Sequence, residues 1–482
     1  MFDLRPVGYV IGLLVAVLGA TMLLPMVVDM AAGNPNWRAF LEAAIITGLT
    51  GGLVALACAN GVGDRLTLQQ TFLLTSGVWL VLPVFGALPF VLGAPDARPV
   101  DAFFEAMSGL TTTGSTVFSG LDELPRGTLL WRSMLQWFGG IGIIVVAMAF
   151  LPELRVGGMQ IFRSEAFETS GKVLPRAAQI ASQIWWIYVA LTIACGFAYG
   201  AAGMDSFDAL NHALTTMSTG GFSTRDASFG AFQGAAEYVA AVFMILASLP
   251  FVRYVQFMAG EPRPLLRDSQ IRTYLTLIFG FVLLMAAYRV LINEDHAEHA
   301  FREGVFNVVS IISGTGYAST DYQLWGSFPM IAFFFIGLIG GCSASTACSV
   351  KVFRYQILFS AIRVRIKAIH APHGLFQPRF EGQPVDDDVL SSVMSFFVFF
   401  VVTLGLTAVL LSATGLDATT SLSGAATALA NIGPGLGEHI GPSGNFAGLN
   451  DPAKWILSVA MLIGRLELLV VFAILTTQFW RA

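Results

Sequence analysis

The groups in this sequence best placed to do chemistry are backbone carbonyls. Four short runs set glycine among small and hydroxyl-bearing residues: Thr111-Thr112-Thr113-Gly114, Met217-Ser218-Thr219-Gly220-Gly221, Ser313-Gly314-Thr315-Gly316-Tyr317 and Ala430-Asn431-Ile432-Gly433-Pro434. They recur roughly a hundred residues apart, the scale at which repeated membrane units are to be sought. Glycine reaches backbone angles that aim a carbonyl without a Cβ clash, and threonine and serine add hydroxyl oxygens. Carbonyls turned to a common axis can replace the water shell of a cation. Oxygen ligands without a carboxylate cluster suit a monovalent cation better than calcium or magnesium. Small residues also let membrane helices pack closely, an alternative that fits one such run more readily than four in register.

Aligning the runs on Gly114, Gly220, Gly316 and Gly433 places Glu105, Asn211 and Asn307 nine residues before the glycine, with Gly424 in the fourth. Phe104, Leu210 and Phe306 align just ahead of them. A shared polar and apolar register argues for duplication of one unit. The apolar stretch before each run is too short to cross the hydrocarbon and suits a half-helix descending partway into it. Glu105 then reads as a pore-helix carboxylate that bonds nearby backbone amides, in preference to an ion ligand. The third run, Gly314-Thr315-Gly316-Tyr317, comes closest to the potassium-channel pattern, so potassium is the first expectation for the ion.

Other candidate chemistry is sparse. Arg465 lies within an apolar segment, where a charge must face water or a partner; Glu467, two residues on, points to another helix face. The four cysteines, Cys58, Cys195, Cys342 and Cys348, lie in apolar segments without paired spacing. His296 and His299, and likewise His370 and His373, lack a third metal ligand. There is no HExxH, GxSxG or phosphate-binding glycine loop, so catalysis has nothing to stand on and no organic cofactor is expected.

The elements that must position the four runs follow from composition. Of 482 residues, 55% are hydrophobic and 12% charged, with a mean hydropathy of +0.71, against about 25% charged in an ordinary soluble domain. Ten stretches are long and apolar enough to cross a bilayer: 7–28, 39–59, 71–92, 129–150, 183–202, 236–257, 274–293, 328–350, 391–414 and 455–479. The predicted fold is an all-α polytopic membrane protein, two leading transmembrane helices plus four span, pore-loop, span repeats in pseudo-fourfold arrangement. The segmentation is 1–68 for the leading pair, then 69–155, 156–260, 261–370 and 371–482 for the repeats. Basic residues collect in alternate loops, at Arg155, Arg163, Lys172 and Arg176, at Arg253, Arg263, Arg267 and Arg272, and at Lys351, Arg354, Arg363, Arg365, Lys367 and Arg379. The positive-inside rule therefore puts the N-terminus in the cytoplasm and opens the glycine runs to the outside. The net charge of −5 adds little to that assignment.

With these residues in view, the chain resembles the superfamily of Trk, Ktr and HKT potassium transporters, and within it the bacterial Trk potassium-uptake membrane subunits. The likeness rests on Thr111 to Thr116, Met217 to Thr224 reading MSTGGFST, Ser313 to Tyr317, Asn431 to Gly437 reading NIGPGLG and Met461 to Leu468 reading MLIGRLEL. The two leading spans favour the Trk branch. The resemblance implies a potassium filter built from Thr111, Thr112, Thr113 and Gly114, from Met217, Ser218, Thr219 and Gly220, from Ser313, Gly314, Thr315 and Gly316, and from Ala430, Asn431, Ile432 and Gly433. Glu105, Asn211 and Asn307 would support it from the pore helices. It also implies a gate of small residues, Gly340-Gly341-Cys342-Ser343-Ala344-Ser345-Thr346-Ala347-Cys348-Ser349, with Arg465 placing a positive charge beside it. Ala347, Cys348 and Ser349 stand where the family has more glycine. The expected setting is the bacterial cytoplasmic (inner) membrane, as a homodimer docked by a cytosolic nucleotide-binding regulatory ring. A sodium-selective or sodium- or proton-coupled permease, or a non-conducting membrane sensor, stays open as an alternative.

Overall fold

The computed structural model describes residues 3–61, 66–149, 158–159, 173–466 and 468–481. Almost all ordered segments are helices, with one two-stranded hairpin at Arg379–Phe380 and Gln383–Pro384. Seven helices are long and apolar enough to cross a bilayer, or nine if two bent pairs each count as one span, among the described residues. Large apolar side chains such as Leu53, Phe197, Phe279 and Val401 face outwards, as a surface solvated by lipid requires.

The first leading helix, Arg5–Thr21 extended by Leu23–Ala31, packs along Trp37–Cys58. Glycine sets their separation. A Cβ on Gly12 would lie 2.6 Å from the Ala55 nitrogen, and one on Gly51 2.4 Å from the Ala16 nitrogen, so the backbones touch as at other small-residue contacts in membranes. Asp29, fully buried, accepts hydrogen bonds from the Gly127 amide (2.6 Å) and from Asn36 Nδ2 (2.7 Å). This carboxylate meets the first turn of Arg126–Ala149 and ties the leading pair to the first repeat.

Each repeat then reads as span, half-helix, loop, span. The half-helices are Pro99–Leu110, Ser206–Met217, Ala297–Ser313 and Ala418–Ala430. At 12, 12, 17 and 13 residues and about 1.5 Å per residue, none crosses about 30 Å of hydrocarbon. Aspartate caps two of them, Asp205 through the Phe207 amide and Asp417 through the Thr420 amide, so each start is fixed by a side chain that satisfies an otherwise unpaired N–H. The carbonyl ends, carrying partial negative charge, meet at the centre of the bundle.

Three of the ten sequence-predicted spans are sharply bent or interrupted among the described residues. Stretch 236–257 is Ala235–Ala247 and Phe251–Met258, set at 86° to one another, because Pro250 stands at the break in extended backbone. Stretch 328–350 is helical only over Ser327–Gly337; residues 338–351 are irregular, and helix resumes at Val352–His370. Stretch 455–479 divides into Asp451–Arg465, Leu468–Ile474 and Thr477–Arg481. The predicted boundary at 155 and the basic residues Arg155, Arg163 and Lys172 lie outside the described residues.

Overpacking the leading pair tests its contact. Gly51→Leu should lower stability by about 1–3 kcal/mol, seen as a lower unfolding midpoint in detergent. Gly52→Leu, with no atom within 4 Å of its Cβ direction, should leave the midpoint unchanged.

Candidate functional site

The four half-helices end alike. The amides of Thr112, Thr219, Gly314 and Asn431 bond the carbonyls three residues back, Gly109, Thr216, Ile311 and Ala428. All four residues are left-handed, with φ of 53°, 50°, 81° and 51°. The next amides in three loops, Thr113, Gly220 and Ile432, reach back five residues to Ser108, Thr215 and Thr427. Two residues beyond the left-handed position stand Gly114, Gly221, Gly316 and Gly433.

This pattern corrects the register of the second repeat by one residue. Gly221, with φ of 79° beside 87° for Gly114 and 79° for Gly316, is the counterpart of the other three glycines. Gly220 corresponds to Thr113, Thr315 and Ile432. Two adjacent glycines left the sequence alignment free to choose either, and the hydrogen bonds remove the choice.

The four glycines close a ring. A Cβ on Gly114 would lie 2.2 Å from the Gly220 carbonyl oxygen, and one on Gly221 1.9 Å from that of Thr315. A Cβ on Gly316 would lie 2.6 Å from the Gly433 nitrogen, and one on Gly433 3.1 Å from the Gly114 oxygen. Contacts thus run from each loop to the next and from the fourth back to the first. On one side of the ring lies a polar cavity of about 170 Å³, bordered by all four glycines and by Ser115, Arg132 and Arg225.

Side chains on the half-helices hold the strands that leave the ring. Glu105, fully buried, accepts from the Val117 amide (2.9 Å), from Thr116 Oγ1 (2.9 Å) and from Arg132 Nε (2.8 Å). Arg132 donates further to the Ser223 carbonyl at 2.8 Å and lies over the Phe222 ring. Asn307 donates to Ser319 Oγ at 2.9 Å and accepts from the Ser319 amide. In the second repeat this place belongs to His212, whose Nε2 is 3.0 Å from Ser223 Oγ. Asn211, aligned there by sequence, instead donates to Phe207 within its own helix. Sequence reasoning missed His212 and Arg132; the available signal for Arg132 was a cation inside an apolar span, the same signal that marked Arg465.

Neighbouring loops are also tied to one another. Asn431 Nδ2 donates to Thr113 Oγ1 (3.0 Å), and Ser115 Oγ donates to the Gly433 carbonyl (2.8 Å). The Tyr317 hydroxyl lies between Thr215 and Thr216 of the second half-helix.

On the side of the ring where the half-helices end, the irregular segment 338–351 crosses the axis. Cys342 and Thr346 donate their amides to Ser248 and Ala247, at the break of the second repeat's inner span. The Ser349 amide bonds the Ala430 carbonyl, and Cys348 Sγ lies 3.7 Å from Thr112 Oγ1. Ala344 and Ser349 are left-handed, with φ of 55° and 67°, a conformation that costs a side-chain-bearing residue about 1–2 kcal/mol. Arg465, almost wholly buried, donates to the carbonyls of Gly139 (3.0 Å) and Thr346 (3.4 Å) and to Cys348 Sγ. Glu467, the alternative partner considered for it, lies outside the described residues.

Four half-helices whose carbonyl ends meet at a closed ring of loops, each within its own pair of spans, define a membrane protein of the channel-like cation transporter class. Comparison with known proteins makes the assignment narrower. The sequence profile of the family TrkH, described as "Cation transport protein", matches residues 38–479, and the chain belongs to this family. It is 42% identical over 479 residues to the Trk system potassium uptake protein TrkI of Halomonas elongata, covering 99% of this chain and 97% of that one. It is 36% identical over 494 residues to TrkH of Vibrio parahaemolyticus, covering 99% of each. The crystal structure of the potassium transporter TrkH from Vibrio parahaemolyticus superposes with a TM-score of 0.92 at 33% identity, over the whole of both chains.

The buried pair beside the ring yields a stability test. Glu105→Ala should strand the Arg132 guanidinium and cost about 3–5 kcal/mol, while removing both charges in Glu105→Gln with Arg132→Gln should cost less. Unfolding midpoints in detergent measure both.

Proposed function

We propose that this chain takes up potassium across the bacterial cytoplasmic membrane, N-terminus inside, through a pore whose narrowest part is the four-loop ring. The observation that carries the reading is the ring closure itself. It gathers the carbonyls of Thr111 to Gly114, Met217 to Gly221, Ser313 to Gly316 and Ala430 to Gly433 as the atoms from which an ion's water shell can be replaced, those of Gly220, Ala430 and Gly433 among them also accepting protein donors. Four half-helix carbonyl ends add a favourable potential for a cation. Each loop supplies one aligned glycine where a potassium channel has a longer signature, so ion sites are few and the preference over sodium is real but imperfect. The membrane potential drives entry with about 2.3 kcal/mol per charge per 100 mV.

In this account residues 340–349 are the gate, and Arg465 sets a buried positive charge beside it that opposes a cation in the closed state. The left-handed Ala344 and Ser349 store strain in the segment that has to move, which favours its withdrawal once the anchoring bonds are broken. A homodimer, with a cytosolic nucleotide-binding ring docked on the basic inner loops, completes the assembly.

Gly433 gives the sharpest test, because it is the ring glycine with neither a left-handed φ nor an atom within 3.0 Å of its Cβ direction. In proteoliposomes, potassium and rubidium should enter well ahead of sodium. Gly433→Ser should narrow that preference by about tenfold, equivalent to about 1.4 kcal/mol of differential binding. Arg465→Ala should raise the flux of all permeant ions; an unchanged flux would remove the gating role.

A further inference from the structure

The second repeat differs from the others at one position of the ring. Where the first, third and fourth loops carry Thr113, Thr315 and Ile432, the second carries Gly220. Nothing in the backbone asks for glycine there, since Gly220 is not among the residues of positive φ. Space does: a Cβ on Gly220 would lie 2.4 Å from Cδ of Gln136.

Gln136 comes from the inner span of the first repeat, Arg126–Ala149, and is fully buried. Its Nε2 donates to the Gly220 carbonyl at 2.6 Å, and its Oε1 accepts from the Phe222 amide at 3.0 Å. One carboxamide therefore grips the strand on both sides of the ring glycine Gly221. One helical turn earlier, Arg132 grips the Ser223 carbonyl, so a single helix face holds both ends of the strand 220–223.

The first and third loops are clasped locally, whereas Asn431 ties the fourth to Thr113 and to the Met461 carbonyl. Thr113 Oγ1 is 2.8 Å from Thr111 Oγ1, and Thr315 Oγ1 is 2.7 Å from Ser313 Oγ. The second loop keeps the matching hydroxyl, Ser218, which donates to the Thr215 carbonyl as Ser313 does to Ser310, but Gly220 offers it no second hydroxyl to clasp. A hydroxyl clasp within one loop has been replaced by an amide clasp from a neighbouring repeat.

We propose that Gln136 is a positioning residue for ion discrimination, holding the Gly220 carbonyl and the Gly221 turn at the spacing that suits potassium. A carbonyl that accepts a fixed amide N–H cannot swing inwards to meet a smaller ion, and its electron density is partly committed elsewhere. Both effects act against sodium more than against potassium. The inference rests on the potassium-uptake reading and deepens it, by naming what fixes one of the four walls.

The test measures rubidium and sodium flux together with the unfolding midpoint, in proteoliposomes and in detergent, for wild type and three variants. Gln136→Met conserves volume and removes both bonds; rubidium flux should persist while the rubidium-to-sodium preference falls about fivefold, the effect of losing one net hydrogen bond. Gly220→Thr alone should displace Gln136 and lower the preference similarly. Gly220→Thr combined with Gln136→Ala makes room for the local clasp on Ser218 and should regain most of the preference, and it remains informative if either single variant fails to fold. An unchanged preference in a folded Gln136→Met protein overturns the inference. So does a double variant that recovers the unfolding midpoint but not the preference, which would make Gln136 a packing residue only. A wild type that passes both ions equally would overturn the uptake reading and this inference with it, whereas wild-type preference with an insensitive Gln136 overturns the inference alone.

Discussion

The rest of this molecule depends on one constraint, that irregular backbone at mid-membrane must be enclosed by protein. Each carbonyl left without an internal partner costs several kcal/mol in lipid, so the four loops can exist only if they shield one another. They do so by mutual contact. Gly114, Gly221 and Gly316 sit where a side chain would strike a neighbouring loop, and Gly433 brings the fourth loop back into close contact with the first. Half-helices follow from the same constraint, since a helix that stopped partway without a loop to finish it would strand its last carbonyls.

Holding four loops in one ring takes specific bonds, and the duplicated units have found different ones. Glu105 with Thr116 and Val117, His212 with Ser223, and Asn307 with Ser319 do the same geometric work with a carboxylate, an imidazole and an amide. The fourth repeat has Gly424 at this place and relies on Ser423, whose hydroxyl accepts from the Leu436 amide and donates to the Leu436 carbonyl. Further bonds join the walls, with Asn431 reaching Thr113 and Tyr317 reaching the second half-helix. Divergence of sequence under a fixed ring geometry accounts for why the repeats are plain in their glycines and faint elsewhere.

Much of this was legible in the sequence. Hydropathy located the spans, and the short stretches before each glycine run announced half-helices. The resemblance marked Gly340 to Ser349 as a gate of small residues, although hydropathy placed them within a span. Three features were hidden for physical reasons. The adjacent Gly220 and Gly221 fit the alignment equally well, so the register slipped by one and took Asn211 for His212. The partner of Glu105 is 27 residues away on another helix, and pairing at that distance leaves no periodic trace. The bend between Ala247 and Phe251 was signalled by Pro250, but its use, receiving Cys342 and Thr346 of the crossing segment, is a tertiary fact.

The central claim is that the axis through Gly114, Gly221, Gly316 and Gly433 is where the ion loses its water. Its most direct test is anomalous scattering from crystals soaked in rubidium, matched by a set soaked in rubidium and sodium together. The account predicts a rubidium peak on that axis within coordination distance of carbonyls from all four loops, persisting when rubidium is soaked in the presence of an equal concentration of sodium. A ring without any peak, or a peak held by side-chain carboxylates away from the axis, would contradict it.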